Sequence, residues 1–250
     1  MFQILLTAIL TMSPTPEFQD DGLIAPEVGP WSDAKHEKIS YYSRLFATSM
    51  KRTWDVRCYL ELFAGSGASR IEGTKKLIPG SPILALNHPD PFDAYVFCEM
   101  DTALLTTLKE RVKRQGIKAQ CTFISGDCNK NADAILDSLP AYSSGRKCLT
   151  LCVIDPFKSA DLEFATIELL SRRFVDILML IPTYMDIHRN QSNYINPANR
   201  TLDVYLGSST WREEWANEGR GKDFGLFIAD QFGKRMQAIG FLYEGLQDME

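Results

Sequence analysis

The stretch that most constrains this chain is Tyr59-Leu60-Glu61-Leu62-Phe63-Ala64-Gly65-Ser66-Gly67-Ala68, where an apolar run meets two glycines with one residue between them. Val56 to Phe63 has the β-branched, aromatic and leucine content of a strand buried on both faces. Gly65 and Gly67 let the backbone turn sharply and approach a ligand with no Cβ in the way. A helix starting near Ser66 to Ser69 would aim its unpaired N–H groups and dipole at an anionic group over the loop. That is the physical basis of nucleotide binding in open α/β sheets.

The rest of the chain alternates strand and helix around that turn. Residues 1–30 read as an irregular extension and residues 31–250 as one domain, which 250 residues with 45% hydrophobic and 24% charged content can fill with a full core. Met1 to Leu10 is apolar but about half the length of a membrane span and lacks a basic start or a clean cleavage site, and Met12 is an alternative start. From Trp31 a helix is expected to about Lys51, capped by Ser32 or Asp33; Lys35 and His36 read either as a solvated first turn or as ligand contacts. Ile71 to Gly80 reads as an irregular basic segment, Ser81-Pro82 as a helix start. Strands are expected at Tyr95 to Glu99, Ala119 to Ile124, Cys148 to Ile154 and Val175 to Ile181, with helices at Thr102 to Gln115, Ala132 to Leu139 and Leu162 to Ser171. Short helices at Met185 to Tyr194 and Thr201 to Leu206 and a last one at Asp223 to Ile239 follow. The pattern predicts a doubly wound, mostly parallel Rossmann-like α/β sheet. Phe241 to Tyr243 reads as a lone sixth strand, leaving the last strand pair incomplete.

The six cysteines form no C-x-x-C pair and fall in or beside apolar strands, as reduced core thiols of a cytoplasmic protein do. The three histidines are too scattered for a metal motif. A net charge of −5 argues against a uniformly basic nucleic-acid coat, though a local basic patch remains compatible with it. Trp211, Trp215 and Arg220-Gly221-Lys222 read either as the edge of the core or as a partner or RNA surface.

Ligands in such sheets bind outside the carboxyl ends of the strands. Those ends carry Glu61 to Gly67, then Glu99 and Asp101, then Asp127, then Asp155-Pro156-Phe157, then Pro182-Thr183. Acids at four of five ends beside a glycine turn point to a nucleotide-like ligand. A nicotinamide cofactor wants a small residue where Arg70 stands, so S-adenosylmethionine fits better: its amino-acid end over Gly65, Ser66 and Gly67, its ribose hydroxyls on Glu99, its adenine amino group on Asp127. The order Glu-x-Phe-x-Gly-x-Gly through Glu61, Phe63, Gly65 and Gly67, then Glu99, Gly126-Asp127 and Asp155-Pro156-Phe157, resembles class I methyltransferases.

Asp155-Pro156-Phe157 is similar to the Asp-Pro-Pro-aromatic site of methyltransferases that act on nucleobase amino groups. That likeness implies that Asp155 and the Pro156 carbonyl accept the amine's N–H groups while Phe157 stacks on an extruded base. This chain has one proline there, followed by Lys158. Lys35-His36, Tyr59 to Gly67, Gly80-Ser81-Pro82-Ile83-Leu84-Ala85-Leu86, Phe97 to Asp101, Val153 to Phe157 and Ile181-Pro182-Thr183 with Met185-Asp186 together resemble the three-Cys-motif partner proteins. This family of methyltransferase-like proteins is found with a separate protein bearing three cysteines in the radical S-adenosylmethionine style. That resemblance supplies no substrate; together with the likeness of Asp155-Pro156-Phe157 to nucleobase methyltransferases it implies methyl transfer, with nucleic acid, RNA or DNA, the expected substrate class, or a catalytically silent subunit that keeps the cofactor fold. A nicotinamide-dependent enzyme is a third reading, disfavoured by Arg70.

Overall fold

Continuous apolar runs with no alternation are stable only when both sheet faces are covered, and the five expected strands meet that condition. The computed structural model describes residues 18–219 and 221–242. Its elements are β1 (Glu27–Val28), α1 (Trp31–Met50), β2 (Val56–Glu61), β3 (Ala68–Ile71), β4 (Leu77–Pro79), α2 (Ser81–Leu86), β5 (Ala94–Glu99), α3 (Thr102–Arg114), β6 (Gln120–Ser125), α4 (Ala132–Ser138), β7 (Cys148–Ile154), α5 (Phe164–Leu170), β8 (Val175–Met179), α6 (Gln191–Ile195), α7 (Thr201–Leu206), α8 (Trp211–Glu218) and α9 (Phe224–Ala238). A π-helical turn, Thr183–His188, follows β8.

The main sheet has the order β6-β5-β2-β7-β8, with every pairing parallel. This is the doubly wound α/β architecture expected from the alternation. Side chains alternate across it: Tyr59, Tyr95, Phe97, Leu151 and Val153 pack with α1, α2 and α3 on one face. Cys58, Leu60, Val96, Cys152 and Ile154 pack with α4, α5, α7 and α9 on the other. The connections change face between β2 and β7, so the crevice of this sheet opens at the carboxyl ends of those two strands.

The segment after the glycine turn differs from expectation. No helix starts at Ser66 to Ser69. Ala68–Ile71 is β3, which turns back through Gly73 and pairs antiparallel with β4, taking in the segment expected to be irregular. The cause is local. Gly67 adopts φ +82°, and its carbonyl accepts the Gly80 amide at 2.8 Å, which closes the hairpin before a helix can propagate. The crossover helix begins instead at Ser81, with Pro82 in its first turn. Residues 18–30 also depart from an irregular reading, because β1 pairs parallel with β3.

At the other end, Trp211 is buried, donating Nε1–H to Asp203 at 2.9 Å, and Trp215 packs edge-on to Phe224, so both tryptophans finish the core. Phe241 and Leu242 belong to no strand, while Tyr243, Arg220 and Met1 to Leu10 lie outside the described residues. All six cysteines are free. Among the described residues no helix is long and apolar enough to cross a membrane.

The two turn glycines separate two costs. A Cβ on Gly65 meets nothing within 4 Å and carries only the strain of φ +61°, whereas a Cβ on Gly67 falls 2.7 Å from Leu108 and 2.9 Å from Ile83. Gly65→Ala is expected to lose about 1 kcal/mol of stability and Gly67→Ala about 3 kcal/mol. Urea denaturation of the two variants checks the order; equal losses would contradict it.

Candidate functional site

Parallel pairing puts the ends of β2, β5, β6, β7 and β8 on one side of the molecule, so the acids read from the sequence gather there. Glu99 lies at the end of β5. Its Oε2 accepts the Gly65 amide at 2.7 Å and its Oε1 accepts the Asp101 amide at 2.9 Å, which ties the glycine turn to the neighbouring strand. Asp101 caps α3 by accepting from Ala103 and Leu104. Asp127, after β6, accepts through Oδ1 from the backbone and side-chain amides of Asn129.

Glu61 lies deeper, only 1% exposed, beneath the turn. It receives the Tyr59 hydroxyl at 2.9 Å and the Ser81 hydroxyl at 2.5 Å. Burial pushes its carboxyl up to about 8, against the pull of those two hydroxyls and of Lys35, and with a further push from Asp155. Glu61 therefore supports the loop from below as a neutral acid. Phe63 is half-buried against the α4 and α9 core. The Ser66 hydroxyl is turned inward onto the Ala68 carbonyl at 2.8 Å, leaving backbone as what Gly65 to Gly67 present.

At the end of β7, Asp155 Oδ2 accepts from the Lys35 ammonium at 2.6 Å. Pro156 is buried and Phe157 is 90% exposed, its ring free to stack on a ligand. Lys35 and His36 are thus not a solvated first turn: His36 Nδ1 is 3.1 Å from the Pro79 carbonyl, and burial pushes that imidazole down to about 4.

Three partners were missed from sequence. Tyr59 lies two residues before Glu61 on one face of β2, a spacing that was the available signal, whereas Ser81 became visible only once the hairpin had returned it to Glu61. Arg111 reads as part of the basic end of an amphipathic helix, yet it is 1% exposed. Its guanidinium takes Asp21 through two bonds of 2.7 and 3.0 Å, the Ile24 carbonyl at 2.9 Å and the Ser66 carbonyl at 2.6 Å. It clamps both the glycine turn and the segment before β1. Leu108 and Val112 mark the buried face of α3, but nothing in the local pattern separates Arg111 from its exposed neighbours Lys109 and Lys113.

No protein-family model matches the chain, and no curated protein matches it in sequence. Among solved structures it is similar to a Legionella pneumophila protein (15% identity, 72% of this chain and 75% of that one, TM-score 0.47). It is also similar to an O-methyltransferase from Klebsiella pneumoniae (14%, 84% and 78%, TM-score 0.40). A third is the N-terminal domain of EvdMO1, crystallised in the presence of SAH and D-fucose (11%, 58% and 50%, TM-score 0.37). Likeness at this level fixes no activity, so function rests on the chain's own residues.

Two predictions follow from the charges. The folded Glu61 carboxyl keeps its proton to about pH 8 and an unfolded one releases it near 4.5, so the folded state holds the extra proton between those values. Stability contributed by Glu61 is then present at low pH and falls as pH rises through that window. Glu61→Gln is expected to gain on the wild type steadily from pH 4.5 to 8 in denaturation midpoints; parallel curves would contradict the buried neutral acid. Asp21→Asn leaves the buried Arg111 cation without its counter-charge and is expected to cost about 3 kcal/mol by the same measurement, and no loss would remove Arg111 as the clamp.

Proposed function

We propose that the chain is an S-adenosylmethionine-dependent methyltransferase that acts on an amino group. The observation that carries this reading is the Glu99 carboxylate held 2.7 Å from the Gly65 amide, at the carboxyl end of a parallel sheet beside its switch point. The turn fits such a cofactor: a Cβ at Gly65 would meet nothing within 4 Å, so the backbone at Gly65 faces open space. Gly65 to Gly67 would hold the amino-acid end, Glu99 the ribose hydroxyls and Asp127 the adenine amino group. When bound, this cofactor supplies an electrophilic methyl on a sulfonium.

The protein's own part is positioning and exclusion of water, and the reading therefore needs no nucleophile or histidine base. Asp155 and the Pro156 carbonyl accept the N–H groups of the acceptor amine, which leaves its lone pair free, and Phe157 offers an exposed ring for stacking. An amino group on RNA or DNA suits that trio, as does the resemblance of Asp155-Pro156-Phe157 to nucleobase methyltransferases. The likeness to three-Cys-motif partner proteins supports a second protein working with this one, in the cytoplasm, where six free thiols stay reduced.

One observation favours a second reading. The Lys35 ammonium occupies Asp155 Oδ2, the atom an acceptor amine would use, and a chain that keeps it there would bind the cofactor without turning it over, as a regulatory subunit.

Calorimetric titration with S-adenosylmethionine, its demethylated product and NAD tests the cofactor. The first two are expected to bind, NAD to fail, and Glu99→Ala to weaken binding at least tenfold, the loss of about one charge-assisted hydrogen bond. Methyl transfer to RNA or DNA that vanishes in Asp155→Ala would establish the enzyme; binding without transfer would favour the subunit. No binding at all would overturn both.

A further inference from the structure

The end of the sheet opposite the crevice, where the strands begin, is where this acidic chain collects cations. Residues 51–55 before β2, 142–147 before β7 and 172–174 before β8 hold six basic residues against one acid, Asp55, in a chain of net charge −5. Backbone bonds draw these three loops together. The Asp55 and Val56 amides donate to the Lys147 carbonyl at 2.9 and 3.0 Å, and the Lys147 amide donates to Asp55 Oδ2 at 2.8 Å. The Thr150 amide donates to the Phe174 carbonyl at 2.9 Å and brings in the third loop. Each loop also contributes one ring. Phe174 is the middle one, with Trp54 at 5.6 Å and Tyr142 at 4.8 Å, tilted by 53° and 51°. Phe174 stays 52% exposed and Tyr142 45%, so the rings form a platform open to solvent.

The acids beside this platform are engaged, Asp55 on the Lys147 amide and Asp90 on Lys51. Among the described residues the side chains of Arg52, Arg146, Lys147, Arg172 and Arg173 meet no carboxylate and no other acceptor, and all but Arg173 are exposed. Crowded cations without counter-charge repel one another, so what complements the patch is an anionic partner. Four of the five are arginines, whose planar forks take phosphate oxygens in pairs. An acidic peptide would match the charge and leave the rings unused. An anionic lipid surface would want aliphatic anchors, and the three segments contain no Leu, Ile, Val or Met. Cations that follow a backbone, interleaved with open rings, are what an unpaired strand requires. We propose that this end of the sheet is a docking surface for single-stranded nucleic acid, with phosphates on the arginines and Lys147 and bases stacked on the Trp54, Phe174 and Tyr142 platform. It lies about 20 Å from the crevice, the length of the seven-residue β7. The surface is therefore separate from the cofactor site, and it stands whether or not the chain transfers methyl groups.

The test is fluorescence anisotropy of a labelled single-stranded oligonucleotide of mixed sequence, about 16 nucleotides long. It is titrated with the full chain, without cofactor, between about 50 and 200 mM salt. The strand is expected to bind, with log K falling by about 0.7 per phosphate contact for each decade of salt. Replacing two cations together, Arg146→Ala with Lys147→Ala, is expected to flatten that slope by about 1.4. Phe174→Ala is expected to weaken binding about tenfold and leave the slope unchanged, because it removes stacking and no charge. Tyr142→Ala takes its place if Phe174→Ala fails to fold. Absence of binding at the lowest salt would overturn the proposal, and so would wild-type affinity in all the variants, which would put the strand elsewhere on the molecule. Polyglutamate that displaces the strand at equal concentration would also overturn it, since the surface would then read charge alone. The same holds if phosphatidylserine vesicles capture the chain and the strand does not bind.

Discussion

The contact on which the rest of the molecule depends is the 2.8 Å bond from the Gly80 amide to the Gly67 carbonyl. It closes a hairpin between the first strand of the main sheet and its first crossover helix, and it needs glycine on both sides. A Cβ on Gly80 would lie 3.0 Å from the Gly67 carbonyl carbon, and a Cβ on Gly67 would enter the side chains of Leu108 and Ile83. Once the two backbones meet, Ser81 lies over Glu61, α2 is started, and the far side of the glycine turn is left to the ligand. The hairpin thus takes the place that a long helix would fill in a minimal dinucleotide fold, and the turn is held by hydrogen bonds instead of by a helix N-terminus.

That substitution changes the electrostatics of the crevice. A helix starting at Ser66 would bring its own partial positive charge to the loop. Here the positive groups are side chains: Arg111 beneath the turn, on the Ser66 carbonyl, and Lys35 beside the β7 end, on Asp155. Glu61, which would add another negative charge beside Asp155 and Lys35, is kept neutral by its burial. What remains facing the ligand is Glu99, whose two oxygens already take backbone amides and retain further lone pairs for hydroxyl donors. The crevice is consequently polar at the glycine-turn end and aromatic at the Trp31 and Tyr184 end.

How much of this was legible in the sequence follows the same physics. The five parallel strands announced themselves because strands buried on both faces are near-continuous apolar runs, and the alternation with helices pointed to a doubly wound sheet without giving their order. The acids at Glu61, Glu99, Asp127 and Asp155 were legible because strand ends in such a sheet share one side. The hairpin was not: β3 has four residues, β4 three and ends in proline, and neither length nor composition separates them from a loop. Lys35 and Arg111 were illegible for a different reason. A charged residue near a helix end reads as solvated, and what overrides that reading is a partner 120 residues away for Lys35 and 90 for Arg111, a separation no local pattern carries.

A site that would act by positioning, as in the proposed methyl transfer, demands walls that do not drift, and Asp186 ties together the loops after β7 and β8. Its buried carboxylate accepts the Ser159 amide and hydroxyl on Oδ2, both at 2.7 Å, and the Tyr194 hydroxyl at 2.7 Å and Asn190 amide at 3.0 Å on Oδ1. A buried anion with four donors is costly to disturb, because any donor withdrawn leaves charge uncompensated in a medium of low polarity. Ser159 follows Phe157 by two residues on the loop after β7, while Asp186 lies in the π-helical turn after β8. The network therefore couples the loop that bears Phe157 to the turn that bears Tyr184. With those walls locked together and Trp31 seated on Gly29, the exposed Phe157 ring is the element of the crevice left without a hold on its face. A ring with that freedom beside rigid walls can close on a flat substrate without moving the groups that must stay aligned.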